Sequence, residues 1–597
     1  MKKRRVAIYF FYDEEGKVDK YIDYYLSKLV ENIQRLIIVC NGAVQEEGIQ
    51  VFNKYTQEII IRENIGYDAW ANKAALEFIG WEQLKQYDEL IITNFTLFGP
   101  FYPLGEMFDE MEDVQADFWG IFKKGEEKDL PGYGGESTIY GYIPEFILSN
   151  FWCIRKKMLL SESFREYWEN LPSIEKYFDS SNKHEVVFTK WMNDKGFISS
   201  SYIERVGDVK LQECVPQPSI QMSYRLIKQT RIPFCRRRIF TNSLIQYINM
   251  SNGEDAMRML EYIKENTEYD IDMIWENILR TVNQYDIKNS LHLNYVIQKN
   301  AIADWINQDN NTALIMYIDR VENSDYCLEY VLNVPSDMHV YIMVDDSEKK
   351  NKIQQKFANI KCSKFTIMLL ETQNNILKSI LIEMGDIVSS KQYEYICFMH
   401  DQNIEENRWK MIDNACIDRC FDNLLGSGSM VKNIIQQFIQ NPHLGILIPA
   451  PPSHSIYYSI ESVDWKMTYN DVKDWSEYLE ITVPIERNKP PITPYTGMFW
   501  CKTQALSRLI DQKWKICDLL TKENTHKKTI IKLLMRVIPL LVQQAGYYPA
   551  YVLNEEYTRM QTAYQSYMIN EINNEVNKYY NFFSYSQLIG YLREHLI

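Results

Sequence analysis

Four clusters of polar side chains follow apolar runs in the first half of the sequence: Tyr12-Asp13, Asn41-Gly42, Asn64 through Asp68, and Asn94-Phe95-Thr96. Their position matters because a mainly parallel sheet binds its ligands beyond the carboxyl ends of the strands. Short acidic and amide side chains at such ends can hold a diphosphate, directly or through a divalent ion. Breaking the bond from an anomeric carbon to a diphosphate leaves negative charge, which an ion or cationic side chains must stabilise. Asp68 could hydrogen-bond a ribose or base, or it could cap the helix that follows. Gly66 allows a turn that a side chain would block. Neither G-x-G-x-x-G nor G-x-x-x-x-G-K-[ST] occurs at these ends, which removes the main support for dinucleotide and P-loop readings.

The elements that must position these residues are legible as alternating segments. Arg5–Tyr12, Arg35–Cys40, Gln57–Arg62 and Glu89–Thr93 read as strands, with apolar residues at helical spacing between them. That alternation predicts an α/β fold with a mainly parallel sheet. The pattern then returns. Ala7, Asp13, Asp19, Tyr24 and Leu26 are matched 306 positions later by Ala313, Asp319, Asp325, Tyr330 and Leu332. Tyr87 through Asn94 aligns with Tyr393 through His400 at the same offset. Further on the spacing drifts but the order holds: Phe118–Ile121 with Leu444–Leu447, Phe151-Trp152-Cys153 with Phe499-Trp500-Cys501, Gly196-Phe197 with Gly546-Tyr547. The expected organisation is a first α/β domain over 1–240, a helical connector over 241–305 centred on Met257–Leu279, and a second α/β domain over 306–597.

Composition sets the outer bounds. The chain has 597 residues, 46% hydrophobic and 24% charged, with 42 Tyr, 26 Phe and 13 Trp, enough apolar surface for globular domains rather than disorder. A net charge of −15 argues against general nucleic-acid binding. Met1 through Arg5 is basic, but the apolar run Val6–Tyr12 ends at Asp13-Glu14-Glu15 without a small-residue cleavage site, so it reads as a first strand. The apolar stretch Ile530–Val542 is interrupted by Lys532, Arg536 and Pro539, too broken for a membrane span. The 11 cysteines are scattered with no C-x-x-C, which reads as reduced thiols of a cytoplasmic chain rather than a zinc site.

The longest motif carries a resemblance. Asn64-Ile65-Gly66-Tyr67-Asp68-Ala69-Trp70-Ala71-Asn72-Lys73-Ala74-Ala75-Leu76 resembles the signature of the rhamnan synthesis protein F family, bacterial glycosyltransferases of rhamnose-containing cell-wall polysaccharides and O-antigens. Asp88 through Asn94, Phe98-Gly99-Pro100, Asp117-Phe118-Trp119-Gly120 and Ile232 through Phe240 continue the match. In the second copy His400-Asp401, Leu424 through Ser427, Asn441 through Gly445 and Gly497 through Trp500 also fit. The resemblance implies two tandem GT-A-like domains. It has departures. Where the family has Asn-Asp-Ser this chain has Asn94-Phe95-Thr96, and the glycine usually preceding Ala-Trp is absent. The family's glycine–aspartate element becomes Gln373-Asn374-Asn375, and the helix near Met535-Arg536 lacks the acid of a Glu-Arg pair.

What the resemblance implies for the site follows residue by residue. Asn41, Asn64, Gly66, Tyr67, Asp68, Asn94 and Thr96 in the first copy, with His400 and Arg536 in the second, would bind the nucleotide sugar. Asp117 and Glu185 are candidates for the base that deprotonates the acceptor hydroxyl. Asp401 is the candidate ligand for a divalent cation, Mg²⁺ or Mn²⁺, with His400 beside it. Lys228, Arg231 and Arg236 through Arg238 could meet anionic lipid headgroups or the diphosphate of a lipid-linked acceptor, or could form a solvated turn. The implied partners are a nucleotide-diphosphate sugar donor, dTDP-rhamnose by analogy, and a lipid-linked oligosaccharide acceptor. The implied location is cytoplasmic, with peripheral contact at the inner membrane face. Two alternatives stay open: one active domain beside a degenerate one, and a non-catalytic glycan-binding or assembly module.

Overall fold

The computed structural model describes residues 3–207, 218–241, 256–300, 311–358, 360, 364–371, 376–402, 410–451, 465, 468–489, 492–521 and 527–578. Gln373-Asn374-Asn375 lies outside the described residues. Residues up to Asn277 and residues from Ile278 onward form two compact units. The division falls inside the segment read from sequence as a connector. Among its described residues the segment holds the strand Asn294–Ile297 and three helices, of which Gln284–Ser290 follows Ala256–Asn266 and Asp272–Thr281. Between the first two helices the Asp270 carboxylate accepts the amide of Asp272 at 2.9 Å, a local bond that starts a new helix.

In unit 1 the strands are β1 (Arg5–Tyr12), β2 (Arg35–Asn41), β3 (Ile59–Arg62), β4 (Glu89–Asn94), β5 (Leu97–Phe98), β6 (Phe118–Gly120), β7 (Lys123–Lys124), β8 (Phe146–Ile147), β9 (Phe151–Arg155), β10 (Ser199–Ser201) and β11 (Cys235–Arg236). Among the described residues, seven of them form a sheet in the order β10-β6-β9-β4-β1-β2-β3. β1 pairs parallel with both β2 and β4, whereas β9 runs antiparallel between β4 and β6. The central strands are buried on both faces, which is why they read as unbroken apolar runs: Val6 through Phe11 and Leu90 through Ile92 are all in the core. Helix α1 (Lys20–Val30) covers one face with Tyr21, Ile22, Tyr25, Leu26 and Leu29, positions spaced to form one stripe. Helix α2 (Glu46–Asn53) follows β2, and α3 (Tyr67–Ile79) follows β3, burying Ala69, Ala75, Leu76 and Ile79.

In unit 2 the strands are β12 (Asn294–Ile297), β13 (Thr312–Tyr317), β14 (His339–Val344), β15 (Lys364–Leu369), β16 (Tyr395–His400), β17 (Leu444–Pro449), β18 (Phe499–Lys502) and β19 (Tyr548–Asn554). Among the described residues they form one sheet, β12-β19-β17-β18-β16-β13-β14-β15. Strands matched by the sequence repeat hold the same places in both sheets: β13 sits where β1 does, β16 where β4 does, and antiparallel β18 where β9 does. β12 is an added edge strand, parallel to β19. The α/β, mainly parallel class expected from sequence is the class observed. No helix among the described residues is long and apolar enough to cross a membrane.

Candidate functional site

In unit 1 the chain leaves β1 in one direction for β2 and β3, and in the other for β4. This switch point is where a crevice opens in an α/β sheet. A cleft of about 620 Å³ lies there, with Phe10 and Tyr12 from the end of β1, Asn94, Phe95 and Thr96 from the end of β4, and Asn64, Tyr67 and Asp68 from the turn into α3.

The turn into α3 is built from the bottom up by Asn41. Its amide, nearly fully buried at the end of β2, donates to Asn64 Oδ1 at 3.0 Å and to the Tyr67 carbonyl at 3.1 Å, while Arg62 donates to its Oδ1 at 2.8 Å. Asn41 therefore shapes the cleft without lining it. Gly66 has φ 75° and Tyr67 φ 52°. A Cβ on Gly66 would stand 2.3 Å from the Trp70 ring, so both the backbone and the space demand glycine. Trp70 itself packs outward of the site, its Nε1 donating to the Pro172 carbonyl at 3.0 Å.

This turn puts Asp68 in the first turn of α3, half-buried. Ser180 donates to its Oδ1 at 2.6 Å, and the Ala69 amide and Ser149 hydroxyl are also within reach. Burial outweighs these bonds and pushes the Asp68 carboxyl above its ordinary value. Glu185 ends a single π-helical turn, Ser181–Glu185, that leads into the helix Val186–Asp194. Its Oε1 accepts both the amide and the hydroxyl of Ser149, each at 2.9 Å. Ser149 thus stands between the two carboxylates that the cleft contains. Asn94 and Thr96 form the floor and largely satisfy each other: Asn94 Oδ1 accepts the Thr96 amide at 3.0 Å, and Asn150 donates to Thr96 Oγ1 at 2.5 Å.

Arg236, Arg237 and Arg238 line the same cleft. They arrive from about 140 positions downstream because β11 pairs antiparallel with β5, immediately after the β4 end. The Arg237 amide then donates to the Thr96 carbonyl at 2.9 Å. The lining of the cleft thus combines two carboxylates with three arginines, a set of groups suited to activating a hydroxyl and holding an anionic leaving group.

Asp117 is not brought to this cleft. It precedes β6 at the opposite end of the sheet, where its Oδ2 accepts the Ile198 amide at 3.0 Å and Lys157 at 2.9 Å, pinning β10 beside β6. In unit 2, Asp401 is almost fully buried after β16. Its carboxylate accepts the amides of Asp319 (2.6 Å) and Arg320 (3.1 Å) and the side chain of Asn323 (2.9 Å), bolting the loop after β13 to the end of β16. His400 bonds the Thr496 carbonyl through Nε2 at 2.7 Å and accepts the Gln402 amide on Nδ1 at 3.2 Å, while burial lowers its pKa and keeps it neutral. Arg536 is buried in the helix Lys527–Gln544, bonding the Lys532 carbonyl at 3.2 Å.

A divalent ion on a diphosphate needs hard oxygen donors with room for several at once. The oxygens of Asp401 are committed to the fold. In unit 1 the position after Asn94 is Phe95, and Asp68 and Glu185 each spend an oxygen on serine. Among the described residues no three His, Cys, Asp or Glu side chains converge as a metal site. The ion expected at Asp401 does not fit this donor set.

Sequence patterns point to Asn64, Tyr67, Asp68, Asn94, Thr96 and Glu185, and the structure brings these six to one cleft. They do not point to Ser149, Ser180 and Tyr177, which lie in connecting segments where no spacing marks them.

With this geometry, the family match is decisive: the model of Rhamnan synthesis protein F matches residues 36–547. The chain belongs to the rhamnan synthesis protein F family. Membership makes it a glycosyltransferase of polysaccharide synthesis. Among solved structures the chain is similar to the glycosyltransferase GlyE of Streptococcus pneumoniae TIGR4, at 11% identity, 70% of this chain, 99% of that chain and a TM-score of 0.22. It is also similar to a putative nucleotide-diphospho-sugar transferase of Desulfovibrio desulfuricans G20 (11% identity, 33% and 78% covered, TM-score 0.20). A third is mouse xyloside xylosyltransferase 1 (10% identity, 39% and 83% covered, TM-score 0.21). No curated protein matches the chain by sequence.

Proposed function

We propose that unit 1 of this family member binds a nucleotide-diphosphate sugar, dTDP-rhamnose by family analogy, and transfers the sugar to a growing surface glycan. The observation that carries this reading is the single cleft at the sheet's switch point, which collects Asp68, Glu185 and the three arginines. The acceptor hydroxyl oxygen attacks the anomeric carbon and the bond from that carbon to the diphosphate breaks. The hydroxyl proton passes to the Glu185 carboxylate, and the bonding electrons remain on the departing diphosphate. A direct displacement of this kind inverts the anomeric centre. Asp68 hydrogen-bonds hydroxyls of the bound donor. Asp68 and Glu185 reach these roles through the serines that hold them.

Unit 2 reads as a scaffold or acceptor-holding unit, because Asp401 and His400 are consumed by internal bonds. The proposed acceptor is a lipid-linked glycan met at the cytoplasmic membrane face, with exposed Lys228 of the basic segment towards the headgroups. The test is calorimetric titration of the full chain with dTDP and dTDP-rhamnose, alongside a transfer assay. Donor binding weakened by Asp68→Asn and transfer lowered at least about a hundredfold by Glu185→Gln, with Asp401→Asn neutral for both, is the expected pattern. A chain that binds no nucleoside diphosphate would sink the reading.

A further inference from the structure

We propose that Arg237, flanked by Arg236 and Arg238, carries the charge of the departing diphosphate in unit 1 in the place a divalent ion would take. The proposal rests on the donor-site reading above and deepens it. Three observations meet in Arg237.

Its backbone is fixed at the β4 end twice over, by the β11–β5 ladder and by its amide on the Thr96 carbonyl. Its guanidinium is fixed as well. The carbon of that group lies 5.5 Å from the Phe95 ring centre, 5.7 Å from Tyr21 and 6.0 Å from Phe98, within cation–π range of all three. Nη1 donates to the Tyr21 hydroxyl at 3.2 Å, and that hydroxyl donates onward to the Phe95 carbonyl at 2.8 Å. Phe95, standing where an acid would serve an ion, serves here as a plate against which a guanidinium is held.

The second observation is the company Arg237 keeps. Its chain neighbours Arg236 and Arg238 line the same cleft, so an anion held by Arg237 would lie close to two further cationic residues. The third is the donor set already described, which does not suit an ion. A planar fork of N–H donors matches pairs of phosphate oxygens, and a fork already held in place loses little freedom when it binds. In the transfer step, the electrons released from the anomeric bond settle on the diphosphate, where Arg237 donates hydrogen bonds to the charge as it forms.

The experiment uses the full chain and three probes: thymidine, dTDP and dTDP-rhamnose, each titrated with excess EDTA and with added Mg²⁺ or Mn²⁺. Binding of dTDP and sugar transfer are expected to change less than about twofold between the two conditions. Arg237→Ala is expected to weaken dTDP at least about tenfold and to lower kcat about a hundredfold, the cost of one oxyanion donor. Thymidine affinity should stay unchanged, a split that a merely unfolded cleft would not give. Arg237→Lys keeps the charge but not the fork and should fall between. Two results overturn the proposal while leaving the donor site standing: loss of dTDP binding or transfer in EDTA, or wild-type dTDP affinity in Arg237→Ala. A wild-type chain that binds no dTDP at all would overturn both.

Discussion

Ser180 donates its hydroxyl hydrogen to Asp68 Oδ1 across 2.6 Å, joining two residues 112 positions apart. The bond links the first turn of α3 to the segment that leads into the π-helical turn of Glu185, and Ser149 completes the link from the other side. Both carboxylates are thereby held in place by neutral serine donors.

Asp68 is costly to ionise where it sits. Its folded-state pKa is raised above 3.8 by burial, so its contribution to stability is fully present below that value and is lost as pH rises through the folded pKa. Asp68→Asn should therefore raise the melting temperature at pH 7, with the gain shrinking on acidification, while lowering kcat/KM about a hundredfold. Calorimetric melting across pH and steady-state kinetics check both halves. A variant that is less stable at pH 7 would contradict the assignment.

His184 supplies an acid-sensitive element of the same wall. It is fully buried among Trp152, Trp168 and Phe188, with Nδ1 bonded to the Tyr167 hydroxyl at 2.9 Å, and burial lowers its pKa to about 4 against the partial opposition of Glu185. A depressed pKa on a base means stability that is present above pH 6.5 and is lost as pH falls towards 4. The loss should reach about 3 kcal/mol. Denaturant unfolding of the wild type and of His184→Gln, measured from pH 7 to pH 4, should show that slope in the first and not in the second.

Gly66→Ala should cost about 2 kcal/mol or more, because φ 75° is strained for any side chain and the new methyl would meet Trp70. Since the displaced ring belongs to α3, donor affinity should fall together with stability. Urea unfolding and dTDP titration on the same preparation make the comparison, and an unchanged midpoint would refute it.

Asp401→Ala removes a buried acceptor from two part-buried backbone amides and from the Asn323 side chain. A loss of about 2–4 kcal/mol is expected, with dTDP affinity unchanged. If the substitution instead leaves the chain as stable as wild type and abolishes dTDP binding, Asp401 is a ligand-binding residue and its role as a loop anchor in unit 2 falls.

The strands are legible in the sequence because central parallel strands are buried on both faces, so Val6 through Phe11 and Leu90 through Ile92 could hardly be anything else. Asp68 and Glu185 are legible through a long motif and a helix start. Asp401 shows where such reading stops. An acid after a strand looks the same in sequence whether it awaits a ligand or serves a loop, and here two amides 82 and 81 positions earlier take it. Asp117 fails for a related reason: β6 runs parallel to β4, so a residue before it lies at the far edge, and strand direction is set by a topology no local pattern reveals. Ser149 and Ser180 sit in segments without period, and their role exists only once the chain has folded.

The pairing of β11 with β5 has a practical consequence for anyone dividing this polypeptide. A fragment ending between Ser201 and Cys235 would still encode every strand of the seven-stranded sheet together with Asp68 and Glu185. It would omit all the guanidinium groups of the cleft and leave a basin of one electrical sign, hostile to a nucleotide's phosphates. The shortest stretch that can be asked to retain such a ligand runs through Phe240.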